Sequence, residues 1–257
     1  MRSPKILYLD IETRPLLCYT WGIHDQNIGK NQIYKDWAVL SWATKWEGSP
    51  KLKYEDISSS DGWGSEKALL QAIWKLLDEA DVVIGHNSKR FDIKKLNGKF
   101  EQYKLGVPSY YQQIDTLTLA KKYFNLTSNS LEYIAELLGV KYKKLKHKNF
   151  PGMELWTECL NGNKEAWASM EAYNKRDVVV LEEVYKRLRT WGTGVNFSVY
   201  NEGLENVCAC GSTEFVDNGH AYKSSGKFKR YRCKKCKAPR ESKVNLLSKE
   251  KRKSMRE

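Results

Sequence analysis

No apolar run in this 257-residue sequence approaches the roughly 18 residues that a membrane span requires. A secretory leader is not expected either, because Met1-Arg2-Ser3-Pro4-Lys5 moves straight into a strand-like segment. A secreted disulfide framework is also missing. Of six cysteines, Cys18 and Cys159 stand alone and four crowd near the C-terminus, a distribution that suits a reducing compartment. No internal repeat is present. These absences point to a cytoplasmic protein with no membrane partner. At 41% hydrophobic residues with nine tryptophans, the chain can fill one sizeable core and a smaller unit.

The positive charge is unevenly placed. The net charge is +13, and residues 204–257 hold 15 Lys/Arg against 6 Asp/Glu, or +9 of it. A basic appendage of this kind suits a polyanionic partner.

Asp10 and Glu12 follow the apolar run Ile6-Leu7-Tyr8-Leu9, which reads as a buried strand. Strand alternation places residues 10 and 12 on one face. Two carboxylates held that close raise each other's pKa unless a cation neutralises them, and hard divalent ions prefer such oxygens. Val82-Val83-Ile84-Gly85-His86-Asn87 is a second strand-like run. Asp92 opens the helix that follows, with Ile93, Leu96 and Phe100 on its apolar face. A third segment, Tyr173-Asn174-Lys175-Arg176-Asp177, leads into Val178, Leu181, Val184, Tyr185 and Leu188, the pattern of an amphipathic helix. Its four-residue spacing sets Tyr173 and Asp177 one turn apart on a common face.

Strands are expected at residues 5–11, Ala38 to Trp46, Lys51 to Ile57 and 81–86. Helices are expected at about 65–79, 92–105, 116–125, 130–138 and 164–190, the last broken near Tyr173. The lysine-rich stretch 141–163, with Pro151-Gly152, reads as an irregular loop over the site.

Taken in order, these segments resemble the DEDD family of 3′–5′ exonucleases, the DnaQ-like branch of the ribonuclease H-like fold, over roughly residues 4 to 190. The motifs stand as Asp10-Ile11-Glu12-Thr13, His86-Asn87 with Phe91-Asp92, and Tyr173 with Asp177. Ile114-Asp115-Thr116-Leu117 is similar to the family's strand-to-helix step, and Ser130 to Val140 to its next helix. Ala172 stands where the histidine branch carries histidine, so the chain resembles the tyrosine type. The resemblance implies an α/β fold, a mixed sheet flanked by helices. It implies two Mg²⁺ or Mn²⁺ ions: Asp10 on both, Glu12 and Asp177 on the first, Asp92 on the second or its waters. Tyr173 would orient the attacking water. Ile11, Thr13, His86, Asn87 and Phe91 would contact substrate, with Ile11 and Phe91 wedging the terminal nucleotide. The implied activity is two-metal hydrolysis of nucleic acid, single-stranded DNA before RNA, releasing nucleoside 5′-monophosphates. A replication or repair protein could act with it in trans. A catalytically idle nucleic-acid adaptor is one alternative, though it need not keep mutually repelling carboxylates. An endonuclease or resolvase is another, though it does not require Tyr173.

Beyond the turn Gly192-Thr193-Gly194, residues 195–206 read as a linker between a catalytic domain (1–194) and a module at 207–245. There Cys208 and Cys210 precede Cys233 and Cys236 by a 22-residue gap. This is the spacing of a tetrahedral zinc site of ribbon type. Because the first pair has one intervening residue where the common knuckle has two, His220 is an alternative ligand. Turns are expected at Asn218-Gly219-His220 and Ser224 to Lys227, with Phe228-Lys229-Arg230-Tyr231-Arg232 as an alternating basic and aromatic strand. The module resembles zinc ribbons of phage and transposase proteins, which implies one Zn²⁺, nucleic-acid contact and a phage or mobile-element setting. Residues 246–257 read as a disordered basic tail.

Overall fold

The computed structural model describes residues 3–58, 66–141, 149–201, 203, 204 and 206–255, in two compact units: Lys5–Val184, and Met1–Pro4 with Tyr185–Glu257.

In the larger unit the chain begins with strand β1 (Ile6–Arg14), a short hairpin of β2 (Leu17–Cys18) and β3 (Ile33–Lys35), then β4 (Ala38–Trp46) and β5 (Leu52–Asp56). Helix α1 (Lys67–Glu79), strand β6 (Val82–Gly85), helix α2 (Asp92–Gln102), strand β7 (Gln112–Asp115) and helix α3 (Thr116–Tyr123) follow. Helices α4 (Leu131–Leu137), α5 (Glu154–Leu160) and α6 (Lys164–Leu188) complete it. The sheet order is β5-β4-β1-β6-β7, antiparallel at β5–β4 and β4–β1, parallel at β1–β6 and β6–β7. It is the mixed sheet expected from the sequence.

β1 is central, and its apolar run is continuous because Leu7, Tyr8 and Leu9 are all buried, as covering on both faces demands. One face of β1, through Leu7, Leu9 and Ile11, joins the main core with Ile73 of α1, Leu96 of α2 and Leu155 of α5. The register of β1 on β4 shifts between Glu12 and Thr13, an irregularity that re-aims side chains at a strand end.

Two expectations are corrected in this unit. α6 runs unbroken from Lys164 to Leu188. It contains no glycine or proline, and Met170, Tyr173, Asn174, Asp177, Val178 and Leu181 bury one continuous stripe. The stretch 141–163 is not wholly irregular, since α5 occupies Glu154–Leu160 and buries Leu155, Cys159 and Leu160. The i, i+4 pair Leu155/Cys159 supplies enough apolar face to order it against the core. Residues 142–148 of that stretch lie outside the described residues.

In the smaller unit, β8 (Phe215–Lys223), β9 (Gly226–Cys233) and β10 (Pro239–Asn245) form an antiparallel sheet in the order β10-β9-β8, followed by helix α7 (Lys249–Ser254). The turn expected at Asn218-Gly219-His220 is instead a register shift inside β8. There Gly219 takes a φ of 73° and donates to Asp217 Oδ1 at 2.8 Å. The tail expected to be disordered forms α7, because Ser248 caps it by accepting from Lys251 N at 3.1 Å. Within 195–206 a 3₁₀ turn spans Phe197–Tyr200, and Phe197 N donates to Ala209 O at 2.8 Å.

Candidate metal centre

Asp10, Glu12 and Asp177 each bring one carboxylate oxygen to within 4.8 Å of the others. β1 brings the first two and α6 the third, across more than half the chain. Hard oxygen donors converging in this way fit a divalent cation such as Mg²⁺ or Mn²⁺. Asp177 is buried, while Asp10 and Glu12 are half-buried, so the group has a protected side and an open one.

Asn174, whose role the sequence did not disclose, orders this group. It is fully buried one turn before Val178, and its Nδ2 donates to Asp10 Oδ2 at 2.6 Å and to Asp10 O at 3.3 Å. Its Oδ1 in turn accepts from Ser41 Oγ at 3.2 Å. A buried amide with partners on both ends fixes the rotamer of the carboxylate it holds. The only signal in the sequence was its position beside Tyr173.

Asp92 is not a member of the trio but sits against it through the backbone. Its Oδ1 accepts from the N–H of Ile11, the residue between Asp10 and Glu12, at 3.1 Å. Burial pushes the Asp92 carboxyl up to about 7, with Asp115 adding to the rise and backbone N–H groups opposing it. Asp115 also organises the turn before α2. Its carboxylate accepts from Asn87 N at 2.9 Å and Lys89 N at 3.2 Å, and it caps α3 through Leu117 N at 3.0 Å. That turn is tight: a Cβ on Gly85 would lie 2.3 Å from Ser88 Cβ, and Asn87 adopts a φ of 61°. The sequence marked Asp115 only as part of a strand-to-helix step.

Tyr173 lies one turn before Asp177, with its ring edge-on to Trp156 of α5 at 6.3 Å. Trp156 was hidden in the lysine-rich stretch. Of the residues expected at substrate, Phe91 is exposed and Thr13 half-buried, whereas Ile11 belongs to the core. His86 has both ring nitrogens engaged within the protein, Nδ1 with Thr116 Oγ1 at 2.9 Å and Nε2 with Asn129 O at 3.0 Å. Asn87 holds the turn through its backbone.

In the smaller unit the Sγ atoms of Cys208, Cys210, Cys233 and Cys236 lie within 4.8 Å of one another. His220 is not in the group; it lies on β8 beside Tyr222. The Cys208–Cys236 and Cys210–Cys233 sulfurs are 3.7 and 3.6 Å apart. A tetrahedron with metal–sulfur bonds of about 2.3 Å has edges of about 3.8 Å, so the spacing is compatible with one enclosed soft ion. Burial would raise the Cys233 thiol. The N–H groups of Cys236 and Lys235 and the neighbouring thiols outweigh it and bring the group down to about 7. Arg240 Nε donates to Cys208 Sγ at 3.3 Å.

A family model described as the RNase_H superfamily matches residues 48–189, a stretch that takes in Asp92, Tyr173 and Asp177. Among solved structures, the chain is similar to the family B DNA polymerase from the hyperthermophilic archaeon Pyrobaculum calidifontis. That likeness has a TM-score of 0.51 and 15% identity, and covers 75% of this chain. The chain spans 26% of that polymerase's length, and at this identity the likeness bears on the fold alone. No curated protein matches significantly. No helix among the described residues is long and apolar enough to cross a membrane.

Proposed function

The chain belongs to the RNase H superfamily, whose nucleases use divalent metals, and from that membership we propose that it is a 3′–5′ exonuclease releasing nucleoside 5′-monophosphates from single-stranded DNA. The observation that carries this reading is the convergence of Asp10, Glu12 and Asp177 within 4.8 Å, with Asp92 bonded to the backbone between the first two. Asp10, Glu12 and Asp177 would hold one Mg²⁺ or Mn²⁺, and Asp10 with Asp92 a second. Ions held there would supply a water of lowered pKa and charge stabilisation for the leaving 3′ oxygen of an in-line displacement.

The protein's own groups prepare that chemistry. Asn174 fixes the Asp10 carboxylate so that its oxygens need not reorient on binding. The Tyr173 hydroxyl orients the attacking water, and the Trp156 edge restrains the ring that carries it. Exposed Phe91 wedges the terminal base, Thr13, His86 and Asn87 line the approach, and Ile11 supports it from the core. The four cysteines would hold one Zn²⁺ as a structural ion, and the basic strands around it would supply long-range attraction to phosphates.

Incubation with Mn²⁺ and oligonucleotides labelled at either end tests the reading. Mononucleotide should appear at once from the 3′-labelled strand, while the 5′-labelled strand shortens in single steps. Discrete internal cuts would identify an endonuclease, and no cleavage an adaptor. Paired RNA substrates decide between the two nucleic acids.

A further inference from the structure

The hairpin that interrupts the sheet between β1 and β4 leaves the strand bearing Asp10 and Glu12 at Arg14 and returns at Trp37. It carries aromatic side chains that the core does not use: Trp21 is fully exposed, and Tyr19 and Tyr34 are 69% and 63% exposed. The two tyrosines are not scattered. Their rings meet edge-on at 5.6 Å, and Tyr19 N donates to Gln32 O at 2.9 Å, which holds the hairpin's two limbs in register. Arg14 closes its root, with Nη2 donating to Asp36 O at 2.8 Å.

A second observation connects that root to the carboxylates. Lys95 Nζ lies 3.9 Å from the centre of the Trp37 ring and 4.9 Å from that of Phe91, within cation–π reach of both. Phe91 directly precedes Asp92. Phe91, Lys95 and Trp37 therefore connect the residue before Asp92 to the root of the hairpin on which Tyr19, Tyr34 and Trp21 are exposed. Lys89 and Arg90 are exposed on the turn just before Phe91. Exposed rings together with exposed or half-exposed cations suit an unpaired strand, whose bases stack while its phosphates take the positive charge. A protein-docking face would instead gather contiguous aliphatic groups.

We propose that Phe91, Lys95, Tyr34, Tyr19 and Trp21, with Trp37 as the packed joint at the hairpin root, form a stacking track for the unpaired strand of a nucleic-acid substrate, leading away from the carboxylates. It rests on the nuclease reading for its occupant. The track sets affinity for long strands and leaves the bond-breaking groups untouched. A minimal substrate, the p-nitrophenyl ester of thymidine 5′-monophosphate, reaches only the carboxylates and does not feel it.

The test uses the full chain with Mn²⁺, comparing Tyr19→Ala/Trp21→Ala and Lys95→Gln with wild type on that ester and on a long unpaired oligonucleotide. All three substituted side chains lie at least partly in solvent, so the fold tolerates the changes. The arm variant should raise KM for the oligonucleotide by about 5- to 150-fold for each stacked base lost, with kcat/KM for the ester unchanged. Lys95→Gln should weaken strand binding and reduce its logarithmic salt slope by about 0.7. Unchanged oligonucleotide KM in both variants would overturn the track and leave the arm to a protein partner. If wild type cleaves neither substrate, the exonuclease reading fails on its own. Anisotropy of a labelled oligonucleotide in metal-free buffer then decides the track: weaker binding by the variants supports it, equal binding overturns it.

Discussion

The carboxylate group and the cysteine group are both clusters of candidate metal ligands, yet they are built in opposite ways. Asp10, Glu12 and Asp177 come from long regular elements and stand at the margin of a core that owes nothing to them, made by residues such as Leu7, Ile73 and Leu96. Cys208, Cys233 and Cys236 are themselves a buried cluster of their unit, joined by Ala238, with Cys210 and Phe215 packed against it. One site is placed by a fold. In the other, the candidate ligands are themselves packed as a core for the β8–β10 sheet. A metal bound to the first should therefore govern reactivity, and a metal bound to the second should govern whether structure exists.

The largest expected effect follows from that contrast. If the cysteines hold zinc as proposed, Cys233→Ser or chelation should unfold the β8–β10 sheet while the Lys5–Val184 sheet persists, since structural zinc contributes about 10–16 kcal/mol in comparable small modules. Amide hydrogen exchange resolved along the chain reads both halves at once, and loss of protection confined to residues after about 207 is the expected result. Next, Asp177→Ala should abolish turnover and leave the larger unit as stable as before or more so in metal-free buffer, because one of three mutually repelling charges is gone. Near-wild-type hydrolysis by that variant would undo the site assignment.

Smaller losses separate ligands from the groups that position them. Tyr173→Phe should slow cleavage by about 10²-fold with Mn²⁺ affinity retained. An unchanged rate with lost stability would make the ring a core filler. Asn174→Ala should lower activity or metal affinity by about 10- to 100-fold, partly rescued by high Mn²⁺, which a purely structural role would not show.

A separate effect concerns pH. Asp92 titrates near 7 in the folded protein against about 3.9 unfolded. Between those values the folded state binds the extra proton, so this group's contribution to stability is full below the lower value and is lost as pH rises toward 7. Urea midpoints in buffer free of Mg²⁺ and Mn²⁺ should fall between about pH 4 and pH 7, and Asp92→Asn should flatten that slope.

Local patterns in the sequence disclosed the elements and the ligand types, because strand alternation and helical spacing are printed in neighbouring residues. They placed Asp10 beside Glu12 and Tyr173 one turn from Asp177. Asn174 escaped because its partner Asp10 is 164 residues away, and an asparagine within a helix reads the same whether it faces solvent or a carboxylate. The α6 break and the disordered tail were misread for a related reason. Both rested on composition, while a buried stripe through Met170 and Val178 and a single cap from Ser248 decided the outcome. Trp156 was lost in a lysine-rich stretch whose helix forms only because Leu155 and Cys159 find the core.

The central claim, that Asp10, Glu12 and Asp177 form a cation centre independent of the cysteine cluster, is tested most directly by Mn²⁺ titration followed by electron paramagnetic resonance. Wild type and Cys233→Ser should bind Mn²⁺ with matching affinity, while Asp10→Asn and Asp177→Asn should each weaken it by at least about 10-fold. Mn²⁺ binding that survives both carboxylate substitutions, or that disappears with Cys233→Ser, would contradict the account.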